Sequence, residues 1–368
     1  MLVISAGGCS SDEKEPDASG QMRDITSVEL VKYMKLGWNL GNTLEACGAV
    51  KNTVTDYETL WGNPVTTPEM IKGIHDAGFS TIRIPVAWSN LMKDDYTIDS
   101  ALFSRVKEVI GYAVECDMYA ILNIHWDGGW FKDFPTKYDE CMKKYTRIWE
   151  QISAEFKDYS DKLVFESLNE EGCWDSVWNR YSGGDKEGAY GILNDMNQNF
   201  VNIVRASGGN NQKRHLLIAG YCTDIALTCD PCFKMPEDPE NRCIVSVHYY
   251  TPSTFTILEE DADWGKCAEK WGSDAEIAEL NRNMAMLKET FVDKGIPVIV
   301  GEYGSTTKNK DADSVRLYIK SVCKAAYDLD MCPVFWDNGA FYDRSALKFR
   351  DNELAAIFKE ISDSGRKS

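Results

Sequence analysis

The sequence predicts a single (β/α)8 barrel, and three observations carry that prediction. Eight short, nearly continuous apolar runs recur along the chain, seven amphipathic helical stretches lie among them, and charged or hydrogen-bonding residues gather at the ends of the runs. A parallel strand covered on both faces reads as an unbroken apolar segment, not as an alternating one. Eight such strands with intervening helices fit a closed barrel better than an open sheet. Length agrees, because 368 residues suit one large α/β domain.

The strands are expected at 35–39, 81–85, 119–124, 163–168, 215–219, 243–248, 297–301 and 333–336. The first clear helix opens at Thr67-Pro68-Glu69, a capping residue followed by proline at the first helical position, and Gly78 closes it. Asp99 leads into Leu102, Phe103, Val106, Val109, Ile110 and Ala113, a stripe at three- and four-residue spacing. Residues 138–158, 190–207, 274–294, 311–329 and 351–363 read likewise. After the fifth strand the helical signal is poor, since 223–239 is rich in Cys, Pro and Asp. The stretch 251–272 is too long for a turn and is expected to wall the site.

Composition excludes several classes. Forty basic against fifty-eight acidic side chains leave a formal charge of −18, which argues against nucleic acid or an anionic membrane as partner. Beyond the first few residues no apolar run reaches the 18 to 20 or so that a membrane-spanning helix needs. Apolar residues at 43% provide ample core. Eleven Trp and seventeen Tyr exceed what that core requires, so some of these rings are expected to line a cleft.

The twelve cysteines lack the even spacing of a disulfide scaffold. Cys222, Cys229, Cys232 and Cys243 come nearest to a zinc cluster, but buried thiols or one or two disulfides fit better. Cys9 ends a short apolar stretch and precedes the acidic tract Asp12-Glu13-Lys14-Glu15, a pattern like the tail of a lipoprotein signal with Cys9 as the acylated residue. Residues 1–22 are accordingly read as leader and linker, residues 23–366 as the barrel, and the protein as exported to the cell surface or beyond.

In such a barrel the reactive groups project from the C-terminal strand ends. Those ends read Arg83-Ile84-Pro85, Asn123-Ile124-His125-Trp126-Asp127, Leu168-Asn169-Glu170-Glu171, Val247-His248-Tyr249-Tyr250, Gly301-Glu302-Tyr303-Gly304 and Phe335-Trp336-Asp337-Asn338. Glu170 and Glu302 are remote in sequence, yet the fourth and seventh strands face each other across the barrel. Two carboxylates that converge in a partly dry pocket cannot both ionise easily, so one serves as acid while the other stays anionic. That pair is the equipment for breaking a glycosidic bond. Glu171 is expected to turn away with the pleat, and His75 and His215 to be structural. No linear metal-ligand spacing and no Gly-rich phosphate loop is present, and the chemistry needs neither metal nor organic cofactor.

From Gly37-Trp38-Asn39-Leu40-Gly41-Asn42 to Trp336-Asp337-Asn338-Gly339 the chain resembles glycoside hydrolase family 5, with Leu168-Asn169-Glu170 and Ile299-Val300-Gly301-Glu302-Tyr303-Gly304 as signature segments. Residues 57–64 and Ala262-Asp263-Trp264-Gly265 are similar to its subfamily 4 of endo-glucanases. The resemblance implies a retaining endo-β-1,4-glucanase with Glu302 as nucleophile and Glu170 as acid/base. It implies that Arg83 and Tyr250 hold Glu302, His248 orients Glu170, and Asn169 and His125 bind the sugar. Trp336 would floor that subsite, with a cis peptide after it. Asn42, Trp61, Trp130 and Trp264 stand as subsite candidates, and Trp126, where many relatives have a second histidine, is expected to shape a subsite. A mannanase or xylanase on the same scaffold, and a non-catalytic glycan-binding lipoprotein, are the competing readings. The expected partner is a glucan polymer, bound by a monomer.

Overall fold

The computed structural model describes residues 20–365, so Cys9 and most of the expected leader lie outside the described residues. The eight barrel strands are β1 (Gly37–Leu40), β2 (Thr81–Ile84), β3 (Tyr119–Asn123), β4 (Leu163–Glu166), β5 (Leu216–Asp224), β6 (Cys243–Tyr249), β7 (Val298–Tyr303) and β8 (Cys332–Asp337). All eight expected strands are present. They pair in parallel in chain order, and β8 closes on β1 through Asn39 opposite Trp336 and Leu40 opposite Asp337.

The helices that follow the barrel are α1 (Ser27–Met34), α2 (Pro68–Asp76), α3 (Ser100–Glu115), α4 (Tyr138–Phe156), α5 (Lys186–Ala206), α6 (Ile225–Thr228), α7 (Asp274–Thr290), α8 (Ala312–Tyr327) and α9 (Asn352–Ser364), and two short ones, Val54–Glu58 and Ser253–Thr256, lie in the loops after β1 and β6. The poor signal after the fifth strand corresponds to α6, a single turn capped by the Asp224 side chain. Several features had no sequence signal, among them α1, opened by a capping box in which Thr26 and Glu29 exchange hydrogen bonds, and a small hairpin that joins Trp178–Asn179 to Gly183–Gly184 between β4 and α5.

Two cores result. The larger one lies between the strands and the surrounding helices. The smaller fills the lower barrel, where Ile121, Val164, Leu217, Ile244, Ile299 and Val334 meet Leu30, Val31 and Met34 of α1. Helix α1 thus plugs the bottom, and Ser27 Oγ lies 2.8 Å from His215 Nδ1. Packing starts before residue 23, because the Gly20 carbonyl accepts from Asn210 Nδ2 at 2.9 Å.

None of the eleven described cysteines is disulfide-bonded, including those between 222 and 243. No described helix is long and apolar enough to cross a membrane.

Candidate active site

The upper barrel interior is polar, and Arg83 is its hub. The guanidinium is fully buried and donates from Nε to Glu166 Oε2 at 2.6 Å, from Nη1 to Glu302 Oε1 at 2.7 Å and Asn39 Oδ1 at 3.0 Å, and from Nη2 to Asn169 Oδ1 at 2.9 Å. One cation therefore faces two buried carboxylates. Glu166 is further satisfied by Asn123 Nδ2 at 3.1 Å and Ser246 Oγ at 2.7 Å. A buried charge without such partners would cost several kcal/mol.

Strand register brings the pair together. His248 lies opposite Glu302 across β6 and β7. His248 Nδ1 sits 2.7 Å from Glu170 Oε1 and 3.7 Å from Glu302 Oε2. Ligand atoms of Glu170, His248 and Glu302 all lie within 4.8 Å of one another. Such a trio has the spacing of a cation site, which linear spacing could not reveal, but the Arg83 guanidinium already supplies positive charge to Glu302. Tyr250 donates its hydroxyl to Glu302 Oε2 at 2.9 Å, so both carboxyl oxygens of Glu302 have donors.

Small residues make room. A Cβ at Gly301 would stand 3.3 Å from His248 Nε2, and one at Gly41 would stand 2.9 Å from the Trp336 ring. The Trp336 indole stacks parallel to His125, with ring centres 5.7 Å apart and planes 6° from parallel. Its following peptide is not cis; the one cis bond among the described residues is Thr251–Pro252. Trp336 and Asp337 continue the β8 ladder against β1, and Asp337 accepts from the Gly339, Phe341 and Tyr342 amides, which keeps that stretch extended.

Titration departs from expectation. Burial pushes the Glu302 carboxyl up, helped by the Glu170 charge and opposed by His248 and Arg83. Burial also raises Glu170, but the His248 hydrogen bond outweighs it and holds Glu170 low. In the free site the order is therefore the reverse of an acid Glu170 beside an anionic Glu302, because the imidazole rests on Glu170. His248 Nε2 is buried without a partner. Burial, Arg83 and His248 drive His125 well below the usual histidine range, so it is neutral. Burial and the neighbouring Glu302 push Tyr250 up, which keeps its hydroxyl a donor.

The peripheral candidates divide. Asn42 is tied to the site rim, its carbonyl accepting from Asn63 Nδ2 at 2.9 Å, and Trp61 stands on the same loop, 42% exposed. Trp126 is half exposed at the tip of β3. Trp130 is wall packing: it stacks on Phe131 at 3.9 Å and donates to Asp127 Oδ2. Trp264 is exposed on the tight turn Ala262–Gly265, and none of its described contacts reaches the cluster. The 251–272 stretch contributes Thr251 and Ser253 to the wall, and Thr256 braces it by donating to the Tyr250 carbonyl, while Cys267 and Ala268 bond to Leu258 and Lys310. Glu171 is only partly turned away; its carboxyl is pushed up to about 8 by burial, Glu170 and Asp127. His75 is on the outer face of α2 and His215 is buried at the bottom, both outside the site. A surface cavity of about 1050 Å³ lies on the barrel flank beside Arg105 and Tyr112, away from the strand tips.

Of the buried polar groups around Arg83, Glu166 carried no signal in the sequence, and Asn39 and Asn123 stood only inside strand segments with no role of their own.

A family model described as Cellulase (glycosyl hydrolase family 5) matches residues 45–341. The chain belongs to glycosyl hydrolase family 5. It is 39% identical over 343 residues to Endoglucanase A of Ruminococcus albus, covering 92% of this chain and 89% of that protein. It is 36% identical over 374 residues to a xyloglucan-specific endo-beta-1,4-glucanase of Bacteroides ovatus, covering 94% and 72%. A solved family 5 subfamily 4 broad-specificity endoglucanase from Clostridium longisporum superposes with a TM-score of 0.85 at 32% identity, covering 94% of this chain and all of the other.

Proposed function

We propose that this family 5 member is an endo-acting, retaining β-1,4-glucanase with Glu302 as nucleophile and Glu170 as acid/base. The carrying observation is the spacing of the two carboxyl groups. Oxygens within 4.8 Å leave no room for a water beneath the sugar, whereas inversion needs a gap of roughly 6.5 to 9.5 Å. The names of the relatives, endoglucanases and a xyloglucan-specific endoglucanase, support the substrate class.

Attack by Glu302 on the anomeric carbon forms a glycosyl ester while Glu170 protonates the departing oxygen. Water activated by Glu170 then breaks the ester, and the product keeps the β configuration. The free-site proton order does not oppose this. The Glu170 side chain is 47% exposed without substrate, and a bound glucan displaces that water, which raises its pKa. Glu302 keeps its Arg83 and Tyr250 donors throughout. Arg83 can only donate, so it holds Asn169 Oδ1 and leaves the amide NH2 to reach the sugar 2-hydroxyl, a contact that strengthens in the transition state. His125 and Trp336 bound the same subsite.

One chain supplies the whole cluster, which supports action as a monomer. A polymer substrate and the Cys9 context support export, with Cys9 as lipid anchor. Product analysis on carboxymethyl cellulose, mixed-linkage glucan, xyloglucan, mannan and xylan tests the reading. New reducing ends from the β-glucans are expected, with falling viscosity; activity confined to mannan or xylan contradicts it.

A further inference from the structure

A cavity of about 350 Å³ opens beside Glu170 on the side away from Trp336, lined among others by Arg180, Cys222, Asp224, Tyr250, Glu279 and Asn283. If Trp336 floors the sugar attacked by Glu302, the space across Glu170 receives the departing half of the chain. We propose that Arg180 and Asp224 are specificity-determining residues that hydrogen-bond the hydroxyls of the first departing glucosyl unit. This rests on the glucanase reading.

Arg180 rides on the small hairpin between β4 and α5, and Asn179 Oδ1 fixes its turn by accepting from the Tyr181 and Ser182 amides, each at 2.8 Å. Its base packs on an aromatic cluster, with Trp178 5.7 Å from Tyr221 and Tyr221 stacked 4.2 Å from Tyr190. Such a base holds the guanidinium in place before any ligand arrives. Arg180 Nη2 lies 2.5 Å from Asp224 Oδ1, and the two side chains are 35% and 37% exposed. Asp224 is itself immobilised, since its Oδ1 caps α6 by accepting from Leu227 N at 2.9 Å, and it lies opposite His248 in the β5–β6 ladder. A guanidinium carries five N–H donors, and this ion pair engages only one face of the fork. Asp224 Oδ2 accepts no hydrogen bond among the described residues. The pair thus offers directed donors and a free acceptor, which match adjacent sugar hydroxyls and reject an apolar leaving group.

The test compares two substrates in wild type, Arg180→Met and Asp224→Asn, the latter retaining a capping side chain. Cellotetraose presents hydroxyls to the pocket, whereas 4-nitrophenyl β-cellobioside departs as a phenolate without them. Both variants are expected to lose at least tenfold in kcat/KM on cellotetraose and less than threefold on the aryl substrate. Equal losses on both substrates, or no loss on cellotetraose, overturn the inference while leaving the glucanase reading intact. Wild-type enzyme that cleaves neither substrate overturns the glucanase reading, and the inference with it.

Discussion

The same eight strands build two unlike halves of the barrel interior. Below, Ile121, Val164, Leu217, Ile244, Ile299 and Val334 pack against α1 in a dry apolar plug. Above, Asn39, Arg83, Asn123, Glu166, Ser246 and Glu302 occupy equally buried positions with charges and amides. The lower half gains stability from area removed from water. The upper half concentrates burial on ionised groups, which costs stability unless each charge is partnered, and Arg83 supplies those partners. The barrel thus separates holding together from reacting along its own axis, a few residues apart on each strand.

Variants can break that separation. Glu302→Gln should lower kcat by about four orders of magnitude or more, as loss of a covalent nucleophile does. Its thermal midpoint should not fall, because a neutral amide relieves the burial that strains the carboxylate; a midpoint well below wild type would contradict the division. Leu30→Ala, in the plug, should do the opposite. It should cost about 2–5 kcal/mol in denaturant unfolding, while kcat of the folded enzyme stays within twofold.

A smaller effect sharpens the boundary. Glu45 is buried at the rim, accepting from the Asn42 and Thr43 amides, and its carboxyl is pushed up to about 7, chiefly by burial. Because this pKa lies above the unfolded value, the native state binds the proton more tightly. Its contribution is fully present below about pH 4.5 and is lost as pH rises through about 7, on the order of 3 kcal/mol in all. Glu45→Gln should flatten the decline in stability between pH 5 and 8, measured by denaturant midpoints. An unaltered slope would show that Glu45 is not the titrating group.

Much of this was legible in the chain. Strands covered on both faces read as apolar runs, and the polar tips Arg83, Asn169, Glu170, His248, Tyr250 and Glu302 stood out because core packing cannot explain them. Glu166 was not legible, since a lone glutamate within a strand acquires meaning only when Arg83 arrives from β2. Helix α1 escaped notice because its eight residues make barely two turns, too few to show a helical period, beside a segment set apart as linker. The hairpin bearing Arg180 has no periodicity to detect. The proton order followed from which carboxylate the His248 ring touches, a question of ångströms that spacing along the chain does not encode.

A covalent intermediate on Glu302 requires two inversions at the anomeric carbon, and the anomer first released reports on them. Proton NMR of wild-type enzyme on a cello-oligosaccharide, recorded before mutarotation, should show the β anomer at the new reducing end. The α anomer appearing first would mean single displacement by water and would contradict the account.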